Sequence, residues 1–330
     1  MALAPLLVAL HGATVREGLR LGFLSGVLSA FGTLYWTALV VTQYGGLSLP
    51  VGVMIMVLLG LAFAIFPALF GACVALWSKA LGPRALLLAP LAWVATEILR
   101  AHTFFEFPWC LLGYSQHAHP PFIQIASLTA VYGVSFLVAL AGALLAYATL
   151  ETRARFRRGA LVAWPALLAS LWAGGSWVMS RPVPESGSIR VGLVQGGILQ
   201  EDKWVPENAW QNIGRHLQLT DAAAARGARL VVWPESSVPF RFDENAVLAD
   251  ALRTTVRQRG IYLLFGNDDR DARHVYVGAK LLTPEGELAY RYHKIQLVPF
   301  GEYVPLQPLL TLGGRVAAKV VEQVADFTPG

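Results

Sequence analysis

The sequence predicts a polytopic bundle of membrane-spanning helices, residues 1–180, followed by an extramembrane α/β domain, residues 181–330. Three observations support this fold class. Of the 330 residues, 55% are hydrophobic and only 14% are charged, compared with about a quarter charged in ordinary soluble domains. Long uncharged apolar stretches are concentrated before residue 180. After it, short apolar runs alternate with segments of helical spacing, as in layered α/β domains.

Five stretches before residue 180 are predicted to span the membrane, because about 20 apolar residues cross the hydrocarbon core. Four of them contain no Asp, Glu, Lys or Arg, and the fifth contains only Glu97 near its end. The predicted spans, at least five in number, are 21–42, 51–78, 85–99, 122–149 and 159–180. The opening stretch MALAPLLVAL is too short to cross by itself. We interpret it as the end of a span that begins before residue 1.

The distribution of basic residues predicts the orientation of these spans. Eight Lys and Arg residues lie in alternate connections, at 16–20, 79–84 and 153–158, whereas the intervening connections contain only Arg100. Loops rich in Lys and Arg stay in the cytoplasm. We therefore expect residues after 180 to lie on the far side of the membrane, which is the periplasm in a Gram-negative cell.

The charge and cysteine content exclude several classes of function. The net charge of +5 arises in the membrane part, since residues 181–330 contain 17 basic and 17 acidic residues. The high pI therefore does not indicate nucleic-acid binding. The two cysteines, Cys73 and Cys110, precede the soluble domain, which has no Cys-based zinc site. His117 and His119 lack a third ligand in their loop, so we predict no metal and no cofactor.

The soluble domain is predicted to begin with strands and helices in alternation. The Pro- and Ser-rich stretch SRPVPESGS at 180–188 marks its boundary. Gly227 and Gly260 are predicted to end two helices, and the turn signal TPEGE predicts a hairpin between the last two strands. The predicted strands are 189–195, 229–233, 261–265, 274–282 and 287–292, and the predicted helices are 208–226 and 244–259.

Three charged residues are candidates for chemistry. Glu235 follows an apolar strand in LVVWPESSVP, and strand ends are where open α/β sheets bind ligands. Lys294 lies among aromatic and apolar residues in YRYHKIQLVPFGEYVP, and Glu302 follows eight residues later. Alone, each is more often a solvated surface residue. Together they suit acyl transfer, because a carboxylate can take a proton from a nucleophile while an ammonium stabilises an oxyanion.

At this point the sequence resembles a known family. WPES after an apolar strand, followed by HKIQLVPFGEYVP, is similar to the nitrilase superfamily of Glu–Lys–Cys amidases and acyl transferases. VQGGI at 194–198, with Lys203 and Trp204 after it, and FPWCLLGYSQ at 107–116 resemble the apolipoprotein N-acyltransferases of the bacterial inner membrane. The resemblance covers nearly the whole chain. It implies a nitrilase-like, layered α-β-β-α extramembrane domain, incomplete at its C-terminus.

The resemblance also implies a reaction and its participants. A cysteine thiolate attacks the acyl ester of a phospholipid donor, and the thioester then acylates the N-terminal diacylglyceryl-cysteine of a bacterial lipoprotein. Glu235 is the implied general base, Lys294 the oxyanion stabiliser, and Glu302 a carboxylate that orients Lys294. Trp109 and Trp204 are implied to shape a lipid entrance, although Trp also favours membrane interfaces for physical reasons alone.

One departure from the family pattern concerns the nucleophile. In the family, the cysteine follows the Lys strand by some tens of residues, and this chain ends at DFTPG without it. Cys73 and Cys110 belong to the membrane part and do not replace it. We therefore expect a fragment, truncated at both ends, that transfers no acyl group alone. Two alternatives stay open: a membrane-tethered amidase, and a non-catalytic membrane protein whose outer domain binds a ligand.

Overall fold

The computed structural model describes residues 3–103, 107–182, 187–299, 301–304 and 327–330. Residues 183–186 of the predicted linker, and Phe300 and Pro305 of the segment around Lys294, lie outside the described residues. The chain divides into two compact units, Met1–Val183 and Pro184–Gly330.

The described part of the first unit is helical. Its helices are α1 (Ala4–Leu10), α2 (Val15–Leu34), α3 (Trp36–Gln43), α4 (Leu49–Leu81), α5 (Ala89–His102), α6 (Pro120–Ile123), α7 (Ala126–Leu150) and α8 (Ala154–Ser180). Two 3-10 helices, Gly82–Leu88 and Leu112–Gln116, lie between them. Thr14 begins α2 with a capping box, in which its side chain and that of Glu17 bind each other's backbone N–H.

Helices α2 and α4 approach closely along a row of small residues. Gly18, Gly22 and Gly26 repeat every four residues on α2 and are buried. A Cβ at Gly22 would overlap the carbonyl oxygen of Pro67 and lie 2.9 Å from Ala68 Cα. Small residues at this spacing let helix backbones pack tightly where lipid supplies no hydrophobic driving force between helices.

Among the residues that the structure describes, three helical stretches are long and apolar enough to cross a membrane: Leu49–His102, Ala126–Leu150 and Ala154–Ser180. Helices α2 and α3, bent by 50° relative to each other, form a fourth if the pair is one span. Leu49–His102 includes both predicted spans 51–78 and 85–99, which a 3-10 helix joins. The number of crossings and their orientation therefore stay predictions.

The surface of the helical unit is rich in exposed apolar side chains. Leu28, Leu58 and Leu128 are each more than half exposed. Soluble monomers rarely expose large contiguous apolar patches. This surface therefore favours a lipid environment for the helices.

The described part of the second unit is an α/β domain. Its strands are β1 (Val191–Leu193), β2 (Leu230–Val232), β3 (Tyr262–Gly266), β4 (Asp269–Arg270), β5 (Val275–Tyr276), β6 (Gly278–Leu282) and β7 (Leu288–His293). Its helices are α9 (Gln200–Lys203), α10 (Ala209–Ala225) and α11 (Ala246–Arg259), with a 3-10 helix at Pro206–Asn208.

A five-stranded mixed sheet, in the order β1-β2-β3-β6-β7, forms the centre of this domain. Strands β1, β2 and β3 are parallel, and helices α10 and α11 connect them, since parallel strands need a crossover. Strands β6 and β7 are antiparallel additions. Fully buried side chains of β2, β3 and α11 form the core, among them Val231, Leu263, Phe265, Leu252 and Val256.

The succession of strands along the chain agrees with the sequence prediction except between β3 and β6. The predicted strand 274–282 is two strands, β5 and β6, which separate at Val277. They separate because β5 pairs with β4 in a two-stranded sheet, whereas β6 pairs with β3 in the main sheet. The loops after β2 and β3 leave the same edge of the sheet, and the candidate residues follow there.

Candidate active site

Glu235 stands on a turn that leaves the carboxyl end of β2. The backbone N–H of Trp233 still donates to the Leu264 carbonyl at 2.8 Å, which continues the ladder one residue past the strand. The buried indole of Trp233 donates to Thr220 Oγ1 at 2.8 Å and fixes this exit. Ser236 then adopts a φ of 45°, a left-handed conformation that is uncommon for a non-glycine residue. The turn presents Glu235 at the surface.

Gly266 at the end of β3 makes room for this turn. A Cβ at Gly266 would lie 2.6 Å from the Pro234 oxygen and 2.7 Å from Glu235 Cα. Its backbone N–H donates to the Pro234 carbonyl at 3.3 Å, and its carbonyl accepts from Ser237 N at 3.1 Å. Only a residue without a side chain fits so close to another backbone. Gly266 therefore holds Glu235 at a fixed position on the sheet edge.

Lys294 reaches the same edge from the end of β7. Its backbone N–H donates to the Val277 carbonyl at 2.8 Å. Its Nζ donates to Glu235 Oε1 at 3.0 Å and to Glu302 Oε1 at 2.7 Å. Glu235, 59 residues before Lys294, and Glu302, 8 residues after it, thus meet at one ammonium group. The structure brings together all three candidate residues that the sequence singled out.

Glu302 is the more firmly held of the two carboxylates. Its Oε2 accepts from Val298 N at 2.8 Å, so both oxygens are bound. The Glu302 side chain is 17% exposed, whereas that of Lys294 is 24% exposed and that of Glu235 is 62% exposed. Exposure therefore rises from Glu302 through Lys294 to Glu235, which leaves Glu235 accessible to a reacting group.

The ion pairs raise the pKa of Lys294. Partial burial acts to lower this pKa, but the hydrogen bonds to Glu302 and Glu235, together with their charges, outweigh it. Lys294 is consequently fully protonated near neutral pH. A protonated lysine has three N–H donors and can donate to an additional oxygen.

A cleft of about 480 Å³ lies next to the turn that carries Glu235. Its lining combines aromatic, aliphatic and charged side chains: Trp204, Val238, Pro239, Phe240, Arg241, Glu244, Asn245 and Asp268. The cleft adjoins the turn because Ser236 Oγ donates to Asp268 Oδ1 at 3.2 Å. Burial raises the pKa of Asp268, although the bond from Ser236 and nearby cations oppose the shift.

The two tryptophans implied by the resemblance lie in different units. Trp204 belongs to the cleft, with Lys203 Nζ 5.4 Å from its ring centroid. Lys203 also donates to the Glu235 carbonyl at 3.2 Å. Trp109 belongs to the helical unit, where it is half exposed and stacks on Trp36 with ring centroids 5.3 Å apart. Trp204 therefore lies in the same unit as the three candidate residues, and the role of Trp109 stays a prediction.

The segment around Trp109 is anchored by a buried acid. Glu97 Oε1 accepts from Leu112 N at 2.7 Å and from Trp93 Nε1 at 3.0 Å. The Trp109 carbonyl accepts from the guanidinium of Arg100 at 3.0 Å.

Both cysteines are free, with Cys73 half-buried and Cys110 exposed, and both belong to the helical unit. Within the described ranges, no group of three His, Cys, Asp or Glu residues could hold a metal ion.

Sequence reasoning did not identify Asp268, Asn267 or Lys280 as part of the site. Asp268 and Asn267 follow Gly266 in LLFGNDD, and a polar run after an apolar strand was the available signal. Lys280 alternates with apolar residues in β6 and is almost completely buried. A lysine in that pattern is typical of a solvent-facing strand position, so its burial could not be predicted.

The chain matches two protein-family models. Residues 1–144 match the apolipoprotein N-acyltransferase N-terminal domain, and residues 190–314 match the carbon-nitrogen hydrolase family. Helices followed by an α/β domain of that family confirm the predicted fold class. The two matches also explain why the candidate residues and the apolar helices occur in one chain.

Curated relatives extend across nearly the whole chain. An apolipoprotein N-acyltransferase of Geobacter metallireducens is 36% identical over 346 residues, which cover 100% of this chain and 64% of the relative. Those of Methylococcus capsulatus and Vibrio vulnificus are 35% and 31% identical and cover 94% and 93% of this chain. The chain spans about three fifths of the length of the curated relatives it matches, 60% and 61% for the latter two.

Among solved structures, an amidase from Nesterenkonia sp. AN1, described as a member of the nitrilase superfamily, matches 45% of this chain and 51% of its own. The sequence identity is 22% and the TM-score is 0.29. These values are too low to add to the fold assignment, which rests on the family models and the strand order. By its sequence, the chain is similar over nearly its whole length to apolipoprotein N-acyltransferases, with their N-terminal domain of apolar helices followed by a carbon-nitrogen hydrolase domain.

Proposed function

We propose that the chain is part of an enzyme that transfers an acyl group from a phospholipid to the N-terminal diacylglyceryl-cysteine of a bacterial lipoprotein. The observation that carries this proposal is the contact of Lys294 with both Glu235 and Glu302 at the edge of the sheet. A base and a fixed ammonium at one point are the groups that acyl transfer requires. The membrane helices in the same chain suit two lipid substrates.

The first half of the proposed reaction forms a thioester. Glu235 takes the proton of a cysteine thiol, and the thiolate attacks the ester carbonyl of the phospholipid. Lys294 donates a hydrogen bond to the oxyanion, which then collapses and breaks the ester C–O bond. The leaving lysophospholipid oxygen takes the proton from Glu235. Glu302 keeps Lys294 in place throughout, because its second oxygen is bound to the Val298 backbone.

The second half transfers the acyl group to the lipoprotein. The α-amine of the diacylglyceryl-cysteine attacks the thioester carbonyl while Glu235 takes a proton from the nitrogen. An amide bond forms, the C–S bond breaks, and the cysteine leaves as thiolate, to which Glu235 returns the proton. We propose that this cysteine lies in the part of the relatives' length that the chain does not span. Its reactivity at neutral pH requires an adjacent base or cation, which Glu235 and Lys294 provide.

We also propose the location of the enzyme and its substrate contacts. The eight-to-one distribution of basic residues supports an inner-membrane protein with residues 181–330 in the periplasm. In the proposed complex, the part of the substrate next to the reacting carbonyl binds in the cleft, against Trp204. Trp109 contacts lipid at the membrane interface. A reporter fused after residue 185 should be periplasmic, and one fused near residue 155 cytoplasmic. The reverse pattern would contradict the proposed orientation.

The test of the activity uses the gene product that carries these residues, in detergent or vesicles. It is incubated with phospholipid carrying a labelled acyl chain and with a diacylglyceryl lipopeptide, and mass spectrometry follows the label. We expect the label in an amide on the lipopeptide. Hydrolysis of a small soluble amide without any need for phospholipid would favour a membrane-tethered amidase. Full function after Glu235→Ala and Lys294→Ala would favour a non-catalytic binding protein.

A further inference from the structure

A single buried side chain, Asn267, fixes the loop that follows Glu235. Asn267 is fully buried at the end of β3. Its Oδ1 accepts from Phe242 N at 3.0 Å, and its Nδ2 donates to the Phe240 carbonyl at 2.6 Å and the Val238 carbonyl at 3.4 Å. Three backbone groups of a five-residue loop thus depend on one amide.

This loop, Val238–Phe242, is one wall of the cleft beside Glu235. Val238, Pro239, Phe240 and Arg241 all line that cleft. Backbone bonds hold the two ends of the loop: Val238 N donates to the Gly266 carbonyl at 3.3 Å, and the Arg241 carbonyl accepts from Asn245 N at 3.0 Å. Between them the loop has no regular secondary structure, and the Asn267 side chain supplies the further bonds that its backbone groups need. Asn267 therefore helps to set the position of the wall relative to Glu235.

Lys280 supports Asn267 from inside the domain. Its side chain is 1% exposed, and its Nζ donates to Asn267 Oδ1 at 3.0 Å. Asp243 Oδ2 and Asp269 Oδ1 lie 3.4 and 3.6 Å from the same nitrogen. A buried ammonium is tolerated only with such partners. Asp269 in turn binds His293 and Arg291 on β7, the strand that leads to Lys294.

The partners determine which way the Asn267 amide faces. Its oxygen meets two donors, the Phe242 N–H and the Lys280 ammonium, and its nitrogen meets two carbonyls. The opposite orientation would place donor against donor and acceptor against acceptor. The site therefore requires both a carbonyl oxygen and an N–H donor at this position, which only an amide supplies.

We propose that Asn267 is a positioning residue of the acyl-transfer site, held by Lys280, that sets the cleft wall against which substrate binds beside Glu235. This inference rests on the proposed function. In this proposal, Asn267 affects substrate binding by holding the cleft wall. It takes no part in proton transfer or oxyanion stabilisation. Loss of the amide should therefore weaken binding more than it slows the chemical step.

Asn267→Asp is the sharpest test because it is isosteric. The carboxylate keeps an acceptor for Phe242 N and places a charge beside Lys280, so the domain keeps a partner for the buried ammonium. The second carboxylate oxygen replaces the N–H donor and faces the Phe240 and Val238 carbonyls. Repulsion between these oxygens should displace the cleft wall. We expect KM for the lipopeptide to rise about tenfold, equivalent to about 1.4 kcal/mol, while kcat changes less than about threefold.

Thr255→Val is the matched control. It removes a partly buried hydroxyl that donates to the Ala251 carbonyl within α11 at 2.9 Å, and Thr255 is not part of the cleft lining. It should leave KM unchanged. Wild-type KM in Asn267→Asp, a fall in kcat alone, or an equal rise of KM in Thr255→Val would each overturn the proposal.

Hydrogen exchange provides a readout that does not depend on activity. The amides of residues 238–242 should exchange at least about tenfold faster in Asn267→Asp than in the wild type and in Thr255→Val, because the wall opens locally. Unchanged exchange there would overturn the positioning role. If the wild-type protein transfers no acyl group, the proposed function is wrong, and the exchange experiment still decides whether Asn267 holds the wall.

Discussion

The two carboxylates that bind Lys294 differ in burial, so removing the charge of each should have a different effect. Glu235 is 62% exposed and its side chain has one bond in the site, to Lys294 at 3.0 Å. An exposed ion pair contributes about 0–1 kcal/mol to stability. Glu235→Gln should therefore leave the free energy of unfolding almost unchanged. It should lower the acyl-transfer rate by about 10²–10⁴-fold, because glutamine cannot accept the nucleophile's proton.

Removing the charge of Glu302 should have a larger effect on the free energy of unfolding than removing the charge of Glu235. Its side chain is 17% exposed and both oxygens accept hydrogen bonds, from Lys294 Nζ at 2.7 Å and Val298 N at 2.8 Å. Glutamine has one oxygen, so one of the two bonds is lost and the other loses its charge. Bonds to charged groups contribute about 1.5–3 kcal/mol and neutral ones about 0.5–1.5 kcal/mol. The expected loss is about 2 kcal/mol.

The assay measures both quantities on the same purified proteins. Calorimetry in detergent gives the midpoint of thermal unfolding of the α/β domain, and labelled phospholipid gives the transfer rate. For a domain of this size, a loss of about 2 kcal/mol lowers the midpoint by about 4–8 °C. Glu302→Gln should show this shift, and Glu235→Gln should lower the midpoint by less than about 4 °C.

The control is Glu287→Gln, since Glu287 is an exposed acid in the β6–β7 hairpin, outside the site. It should change neither the midpoint nor the rate. The reasoning is refuted if Glu235→Gln lowers the midpoint as much as Glu302→Gln does. It is also refuted if Glu235→Gln keeps more than about a tenth of the wild-type rate, because a general base contributes more than that.

Three further predictions follow from the site. Gly266→Ala places a Cβ 2.7 Å from Glu235 Cα and should abolish transfer at a cost of about 1–3 kcal/mol; Gly214→Ala, with open space around it, should retain activity. The raised pKa of Lys294 means that its stabilising contribution is complete below about pH 10.4 and is lost as pH rises through the folded-state pKa; Lys294→Gln should remove this alkaline loss in calorimetry. The 330-residue chain, incubated with phospholipid, should show no hydroxylamine-sensitive adduct by mass spectrometry, and a stoichiometric thioester on Cys110 would make Cys110 the nucleophile.

The main sheet could be predicted because its local signals agree with its packing. The strands at 191–193, 230–232 and 262–266 are short apolar runs, and Gly260 ends α11 in the left-handed conformation that a helix stop requires. The meeting of Glu235 with Lys294 followed from the same logic, because both stand at strand ends. Their nearness to Glu302 came from the family resemblance, since spacing alone does not fix a loop.

The features that could not be predicted depend on side chains that bind backbone groups. The predicted span 21–42 is broken between α2 and α3, where Trp36 Nε1 donates to the Thr33 carbonyl and Thr37 Oγ1 to the Leu34 carbonyl. Such bonds compete with the helical ladder and bend helices. Asn267 acts in the same way on the cleft wall. Hydropathy and periodicity do not report which carbonyl a polar side chain will bind.

The order of exposure in the site also explains how one ammonium could serve two carboxylates and an oxyanion. Before reaction, Lys294 is shared by Glu235 and Glu302, so the three side chains together carry one negative charge. In the proposed mechanism, Glu235 becomes neutral when it takes the thiol proton, and its hold on Lys294 weakens at the moment the oxyanion forms. Lys294 then has a donor for the new charge while Glu302 keeps it in place. A more buried Glu235 would bind Lys294 more tightly and oppose this exchange.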